Sequence, residues 1–79
     1  MDKKTRDRQN KAIKIHLTVF GTINSWEAIR QYDITRLSAR IWDLRHLYGL
    51  NIVTRKTKVD TKWGKTTVAE YVLETEAAS

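Results

Sequence analysis

Residues 34–49, ITRLSARIWDLRHLYG, are the stretch of sequence that decides the fold. At about 100° per residue, the apolar side chains of this stretch fall on one stripe, as in an amphipathic helix packed on a core. The stripe consists of Leu37, Ile41, Leu44 and Tyr48. Gly49 suits the left-handed backbone that commonly ends a helix. The stretch therefore predicts a helix from Arg36 to Tyr48, with Thr35 capping its first turn.

The side of this helix that faces away from the stripe carries small, polar and basic side chains and one tryptophan. It comprises Thr35, Arg36, Ser38, Ala39, Trp42, Asp43 and His46, with Arg40 on its shoulder. Either arginine could form an ordinary surface ion pair with Asp43. A tryptophan ring facing water is unusual, so we expect something to cover Trp42.

Length and composition limit the kind of protein. The chain has 79 residues, enough for one small domain and too few for a deep internal pocket. It has no cysteine, which excludes a disulfide framework and a thiolate zinc site and suits a reducing compartment. The longest uncharged run, residues 15–26, is too short and too polar to span a bilayer. These features predict a cytoplasmic protein that does not associate with membranes.

The positive charge is concentrated in two segments. The net charge is +6, from 15 basic and 9 acidic residues. The first fourteen positions contain Lys3, Lys4, Arg6, Arg8, Lys11 and Lys14, and a second group comprises Arg55, Lys56, Lys58, Lys62 and Lys65. The last ten residues contain three glutamates and no base. Such localised cationic segments predict a polyanionic partner.

Two further helices are predicted before the decisive stretch. Apolar spacing gives a first helix from about Arg8 to Phe20, closed by Gly21, and leaves residues 1–7 as a flexible basic arm. The segment NSWEAIRQY, residues 24–32, begins with a capping residue followed by an early glutamate, which is a helix start signal.

After Gly49 the apolar period changes from 3.6 to 2. Residues 50–57 and 66–74 read as strands, joined by a polar, basic tip over residues 58–65 in which Gly64 is the turn residue. The predicted fold class is α+β, three helices followed by a two-stranded β-hairpin. The predicted domain spans residues 8–74 and precedes a short acidic tail, residues 75–79.

The stretch ITRLSARIWDLRHLYGLNIVT, residues 34–54, followed by GKTTVAEYVL, residues 64–73, resembles small winged helix-turn-helix DNA-binding proteins common in phages and prophages. The resemblance covers residues 23–73. It implies that the third helix enters the major groove and that the hairpin, the wing, lies along the backbone or minor groove. The turn before the third helix often carries glycine in that family. Here Asp33 occupies the position, and aspartate tolerates left-handed geometry better than most residues.

The predicted DNA contacts follow from this geometry. The third helix offers Thr35, Arg36, Ser38, Ala39, Arg40, Trp42 and His46, and the wing offers Lys56, Lys58, Lys62, Trp63 and Lys65. Arginine can bond guanine in two places, hydroxyls can bond bases or phosphates, and an alanine can touch a thymine methyl. Alternatively, Arg40 holds the scaffold together, and the wing lysines form a solvated edge that discourages aggregation. The basic arm either follows a groove of DNA or serves as a solubilising tail.

Three interpretations of Trp42 remain open at the level of the sequence. The ring contacts DNA, or it is covered by the arm, the wing or a second copy of the chain. In the third interpretation the helical register is shifted and Trp42 belongs to the core.

The predicted function is sequence-specific binding of double-stranded DNA by a phage or plasmid transcriptional regulator. The alternatives are a winged-helix module that binds a host protein and an architectural, excisionase-like recombination factor. A short half-site would require a homodimer or a cooperative multimer on DNA. No arrangement of catalytic residues is apparent, and His16 and His46 lack the partners of a metal site. We therefore expect no enzymatic activity, cofactor, metal or small-molecule substrate.

Overall fold

A computed structural model describes residues 2–74 of the chain. The helices and strands are α1 (Lys3–Phe20), β1 (Thr22–Asn24), α2 (Ser25–Tyr32), α3 (Leu37–His46), β2 (Ile52–Thr61) and β3 (Gly64–Leu73). The predicted α+β class, with three helices followed by a hairpin, is confirmed. A third strand that was not predicted, β1, pairs with β3 and gives the sheet order β1-β3-β2. The predicted acidic tail, residues 75–79, lies outside the described residues.

Helix α1 begins five residues earlier than predicted. Asp2 is its N-cap, and the Asp2 carboxylate accepts a hydrogen bond from the Thr5 backbone N–H at 2.8 Å. The backbone and side-chain hydrogen bonds from Thr5 lower the pKa of Asp2. The predicted start at Arg8 is therefore wrong, and residues 3–7 form helix rather than an arm. Gly21 ends α1 in the left-handed conformation, as predicted.

The connection between α2 and α3 is a tight turn. A capping box between Asn24 and Glu27 starts α2, and Asp33 ends it with φ 56° and ψ 29°. Aspartate thus takes the left-handed position that glycine often fills. Helix α3 is shorter than predicted. It begins at Leu37 and ends at His46, and its N-cap is Arg36 without a side-chain hydrogen bond, so the predicted cap by Thr35 is wrong.

The core lies between the three helices and the inner face of the sheet. Its buried apolar residues are Ile13, Leu17, Ile23, Ala28, Ile34, Leu37, Ile41, Leu44 and Ile52. Three of the four residues of the predicted α3 stripe are among them. The fourth, Tyr48, is 48% exposed because it follows the end of the helix, and the Lys14 ammonium lies 5.9 Å from its ring centroid.

The β2–β3 hairpin, called the wing below, is longer and more regular than predicted. Its register pairs Ile52 with Leu73 and Thr61 with Gly64, so only Lys62 and Trp63 form the loop. Gly64 has φ 112° and takes the predicted positive-φ position. The Thr61 hydroxyl donates to the Gly64 carbonyl at 2.7 Å and accepts from the Trp63 N–H at 3.1 Å. Most of the predicted polar tip therefore belongs to the paired strands.

Candidate nucleic-acid interface

One side of α3 is open to solvent and carries most of the residues predicted to contact DNA. Its exposed side chains, with the two residues that precede the helix, are Thr35, Arg36, Ser38, Trp42 and His46, and Ala39 is partly exposed among them. At about 100° per residue, Ser38, Trp42, His46 and Ala39 form a strip opposite the buried Leu37 and Leu44. The structure thus brings six of the seven predicted α3 positions to one surface.

Trp42 lies on this exposed strip and not in the core. Its side chain is 54% exposed. Its ring stacks against that of His46, with ring centroids 4.4 Å apart and planes 30° apart. The interpretation with a shifted helical register is therefore wrong. The described residues leave more than half of the ring open, so the wing and the start of α1 do not close over it.

Asp43 and Arg40 are buried, contrary to the predictions that Asp43 lies on the outward side and that Arg40, on its shoulder, contacts DNA. Their exposures are 3% and 8%. The Arg6 guanidinium forms two bonds to the Asp43 carboxylate, from Nε at 2.9 Å and from Nη2 at 2.8 Å. The Asn10 amide donates to the same carboxylate at 3.2 Å. The physical reason is the early start of α1, whose first turns cover this flank of α3.

Arg40 belongs to the same buried cluster. Its Nε lies 3.3 Å from Asp43 Oδ2, and its Nη1 donates to the Gln9 side-chain oxygen at 3.3 Å. The alternative in which Arg40 holds the scaffold is supported by these contacts. Hydrogen bonds from Arg6 and Asn10, with the positive charges of Arg6 and Arg40, lower the pKa of Asp43 against the opposing effect of burial. The carboxylate is therefore ionised at neutral pH and ties α1 to α3.

The opposite flank of α3 is tied to the wing. The Arg45 side chain donates from Nε to the Ile52 carbonyl and from Nη2 to the Thr54 hydroxyl, both at 2.8 Å. Side chains alternate along a strand, so Thr54, Lys56 and Lys58 share the face of the buried Ile52. Asp60, two residues after Lys58, lies on the same face, and Lys65 is its partner on β3. Lys65 therefore lies on this face as well. Three predicted lysines therefore lie on the side of the sheet that carries α3.

Arg55 faces the other way. It lies on the outer face of the wing, where its Nε is 2.6 Å from the carboxylate of Glu70 on the neighbouring strand. Only part of the basic charge predicted for the wing therefore lies on the side of α3.

The wing tip carries Lys62 and Trp63. Trp63 is 88% exposed, and the Lys62 ammonium lies 5.5 Å from its ring centroid. Both residues line a groove whose other wall is the exposed side of α2. The tip therefore borders a second surface besides that of α3.

Two anchoring residues were missed from the sequence. Arg6 was placed in a flexible arm, and Arg45 was not assigned any role. Asp2, three residues before Thr5, has the spacing of a helix N-cap and was the available signal for the early start of α1. No comparable signal pointed to Arg45, because its partners lie on β2 and depend on the tertiary fold.

The described residues contain neither a helix long and apolar enough to cross a membrane nor a group of three His, Asp or Glu side chains that could hold a metal. Three helices with a long hairpin beside the third define a winged helix-turn-helix domain. The sequence matches the winged helix-turn-helix domain family over residues 8–76, and the chain belongs to this family. Domains of this kind are typically DNA-binding and non-enzymatic. No curated protein and no solved structure matches the chain.

Proposed function

We propose that the chain binds double-stranded DNA sequence-specifically, with α3 in the major groove and the wing on the adjoining backbone or minor groove. The observation that carries the proposal is the continuity of one surface. Arg45 on α3 donates to Ile52 and Thr54 on β2, and the face of β2 that carries Thr54 also carries Lys56 and Lys58. The major groove is about 12 Å wide and admits a helix whose outward side chains are small.

Base readout is assigned to the beginning of α3. Thr35 and Arg36 precede its first turn, and Ser38 and Ala39 follow within it. The beginning of a recognition helix is the part that usually reaches base edges. The small side chains of Ser38 and Ala39 allow close approach, and Arg36 is the side chain able to bond guanine in two places.

Trp42 and His46 are assigned to the DNA backbone. Their stacked rings lie one and two turns beyond Ser38, past the part of the helix that reads bases. A flat, partly apolar pair of rings fits against a sugar better than against a phosphate. Arg40 is left out of the proposed contacts because its guanidinium is held in the buried cluster with Asp43.

Phosphate neutralisation is assigned to the wing. Lys56, Lys58 and Lys65 lie on the side of α3, and Lys62 and Trp63 project at the tip. In the solvated-edge alternative these lysines only discourage sheet aggregation and make no contribution to affinity.

The proposed biological role is transcription regulation in a phage or plasmid, with the chain acting in the cytoplasm. A recombination accessory factor is the alternative within the same DNA-binding class. In both cases a single domain reads a short half-site, so we propose a homodimer or a cooperative multimer on DNA.

The test is selection of bound duplexes from a random pool, followed by salt titration on the selected and on a scrambled duplex. If six to eight phosphates are neutralised, log K falls against log[salt] with a slope of about −5 to −7 on both duplexes. The selected duplex binds more tightly at every salt concentration. Absence of binding at low salt would overturn the proposal and favour a protein-interaction module, and equal binding of both duplexes would remove sequence specificity.

A further inference from the structure

The groove between α2 and the wing is a second candidate site, distinct from the surface of α3. It has a volume of about 990 Å³ and is bordered by Trp26 and Ile29 on α2 and by Trp63 and Val68 on the wing. Trp26 and Ile29 are partly exposed, and Trp63 is almost fully so. Groups of exposed aromatic and aliphatic side chains around a groove are typical of binding surfaces.

An open strand edge runs along this groove. Strand β1 pairs with residues 70–72 of β3 only, so among the described residues no strand lies beside residues 64–69 on that side. Backbone groups alternate sides along an antiparallel strand. The Leu73 N–H donates to Gly21 on the β1 side, and the Glu74 N–H donates to Asn51 on the β2 side.

The same alternation places the N–H and C=O groups of three residues on the open edge. Lys65, Thr67 and Ala69 are in phase with Leu73, so their backbone groups point to the side of β1. Those of Thr66 and Val68 are in phase with Glu74 and point to β2. Exposed edges of this kind pair with extended peptides.

The charge at the groove indicates the chemistry of the occupant. Arg30, Lys62 and Lys65 line it together with a single acid, Asp60. A cationic rim around an apolar floor complements an extended segment in which acidic and apolar side chains alternate. Such a segment would place apolar residues against Trp26 and Ile29 and acids beside the rim.

We propose that the α2–wing groove binds an extended acidic peptide of a partner protein, which adds to the sheet as a strand along residues 65–69 of β3. Strand β1 ends at Asn24, opposite Glu70, and the peptide pairs with the part of β3 that β1 does not reach. The site is separate from the exposed strip of α3, but it shares Lys62, Trp63 and Lys65 with the part of the wing proposed to contact DNA.

The test uses a fluorescent pool of synthetic peptides of about nine residues, in which glutamate alternates with valine, leucine or phenylalanine. Binding is followed by anisotropy and by amide NMR. The amides of Lys65, Thr67 and Ala69 shift downfield and become protected from exchange, whereas those of Thr66 and Val68 change little. The same pool with lysine in place of glutamate, and a pool methylated on the backbone nitrogens, do not bind.

Two substitutions separate this proposal from DNA binding. Arg30→Glu reverses a charge that only the groove uses, and it lowers peptide affinity roughly tenfold while leaving affinity for duplex DNA within about twofold. Lys56→Glu is the matched variant on the other surface and weakens DNA binding while leaving the peptide in place. Both positions are exposed, and circular dichroism checks that each variant is folded.

Three outcomes would overturn the peptide site. The first is no binding of the pool at concentrations of about 1 mM, a level at which even weak specific complexes are populated. The second is tighter binding of single-stranded oligothymidylate than of the peptides, with loss in the Arg30→Glu variant. The third is self-association through the groove that excludes the peptides. Each of these results leaves the duplex-binding proposal to be judged on its own assay.

Discussion

Asp43 is predicted to be exposed from its position on α3, but in the fold it is buried by residues of α1. On α3 alone it occupies the polar side, three residues after Arg40. In the fold it accepts bonds from Arg6 and Asn10 on α1 and lies beside the Arg40 guanidinium. An acid with three such neighbours cannot be removed without leaving buried positive charge.

We expect Asp43→Asn to lower the free energy of unfolding at pH 7 by about 1–3 kcal/mol, since Arg6 is partly exposed and solvent screens part of the pair. The pKa of Asp43 is lowered in the fold, so its contribution is present above the ordinary carboxyl pKa of about 3.9 and is lost as pH falls through the lower folded value. Urea unfolding should show a large difference between parent and variant at pH 7 and a smaller one at pH 2–3. Asp7→Asn, an exposed change on the same helix, is the control. A difference that did not shrink in acid would assign the effect to packing.

Arg36 is the residue on which base recognition depends most in the proposed complex. We expect Arg36→Ala to cost roughly 1–3 kcal/mol on the selected duplex and to relax preference at one base position. The measurement is duplex binding against single-base variants of the selected site. Arg30→Ala on α2 is the matched control and should leave DNA affinity unchanged. A loss equal on all duplexes would identify Arg36 as a phosphate contact.

At the scale of elements, the wing has two chemically different faces. Lys56 and Lys58 lie on the side of α3, whereas Arg55, directly before Lys56 in sequence, pairs with Glu70 on the outer face. Neighbouring residues of like charge therefore have different roles.

Replacing Lys56 and Lys58 together with glutamine should weaken binding to all duplexes and reduce the steepness of the salt slope by about 2. Arg55→Gln, which changes the same charge on the other face, should leave the slope nearly unchanged. Salt titrations on one selected duplex compare the three proteins directly. An equal effect of Arg55→Gln would show that the wing acts through its total charge and not through one face.

The elements also show what the sequence could and could not predict. Helix α3 and the hairpin have clear apolar periods, so their type and order followed from the pattern. The first turns of α1 have no such period. Lys3, Lys4 and Arg8 are exposed, and Arg6 packs through a carboxylate on another helix. Strand β1 has three residues, too few to show an alternation, and its partner lies at residues 70–72. The face of each wing residue required the register of the hairpin.

At the scale of the whole molecule, the dimensions limit how much DNA one copy can read. The molecule measures 38 × 37 × 18 Å. At 3.4 Å per base pair, its longest dimension spans about 11 base pairs, or one turn of duplex. In the proposed complex α3 contributes few base contacts, so we expect one copy to give limited discrimination.

We expect two copies to bind the selected site cooperatively, with half-sites one helical turn or a multiple of it apart, about 34–36 Å per turn. Native mass spectrometry of the complex counts the copies, and insertion of about 5 base pairs between the half-sites should reduce cooperativity by placing them on opposite sides of the duplex. A duplex with one half-site is the control and should bind a single copy more weakly. One copy on the complete site would show that a monomer is sufficient.

The ion pair between Arg6 and Asp43 limits where a tag or fusion partner can be attached. Asp2 caps α1, and Arg6, one turn later, holds the flank of the helix proposed to enter DNA. We expect a purification tag or fluorescent protein joined directly before Asp2 to lie close to the Arg6–Asp43 ion pair and to change the measured affinity for DNA. In contrast, the Leu73 N–H donates to the Gly21 carbonyl at the end of α1. This end is about 27 Å from the start of the 18-residue helix. Fusion partners are therefore better joined after β3. A difference in DNA affinity between the two arrangements would show that a partner placed before Asp2 disturbs the Arg6–Asp43 ion pair.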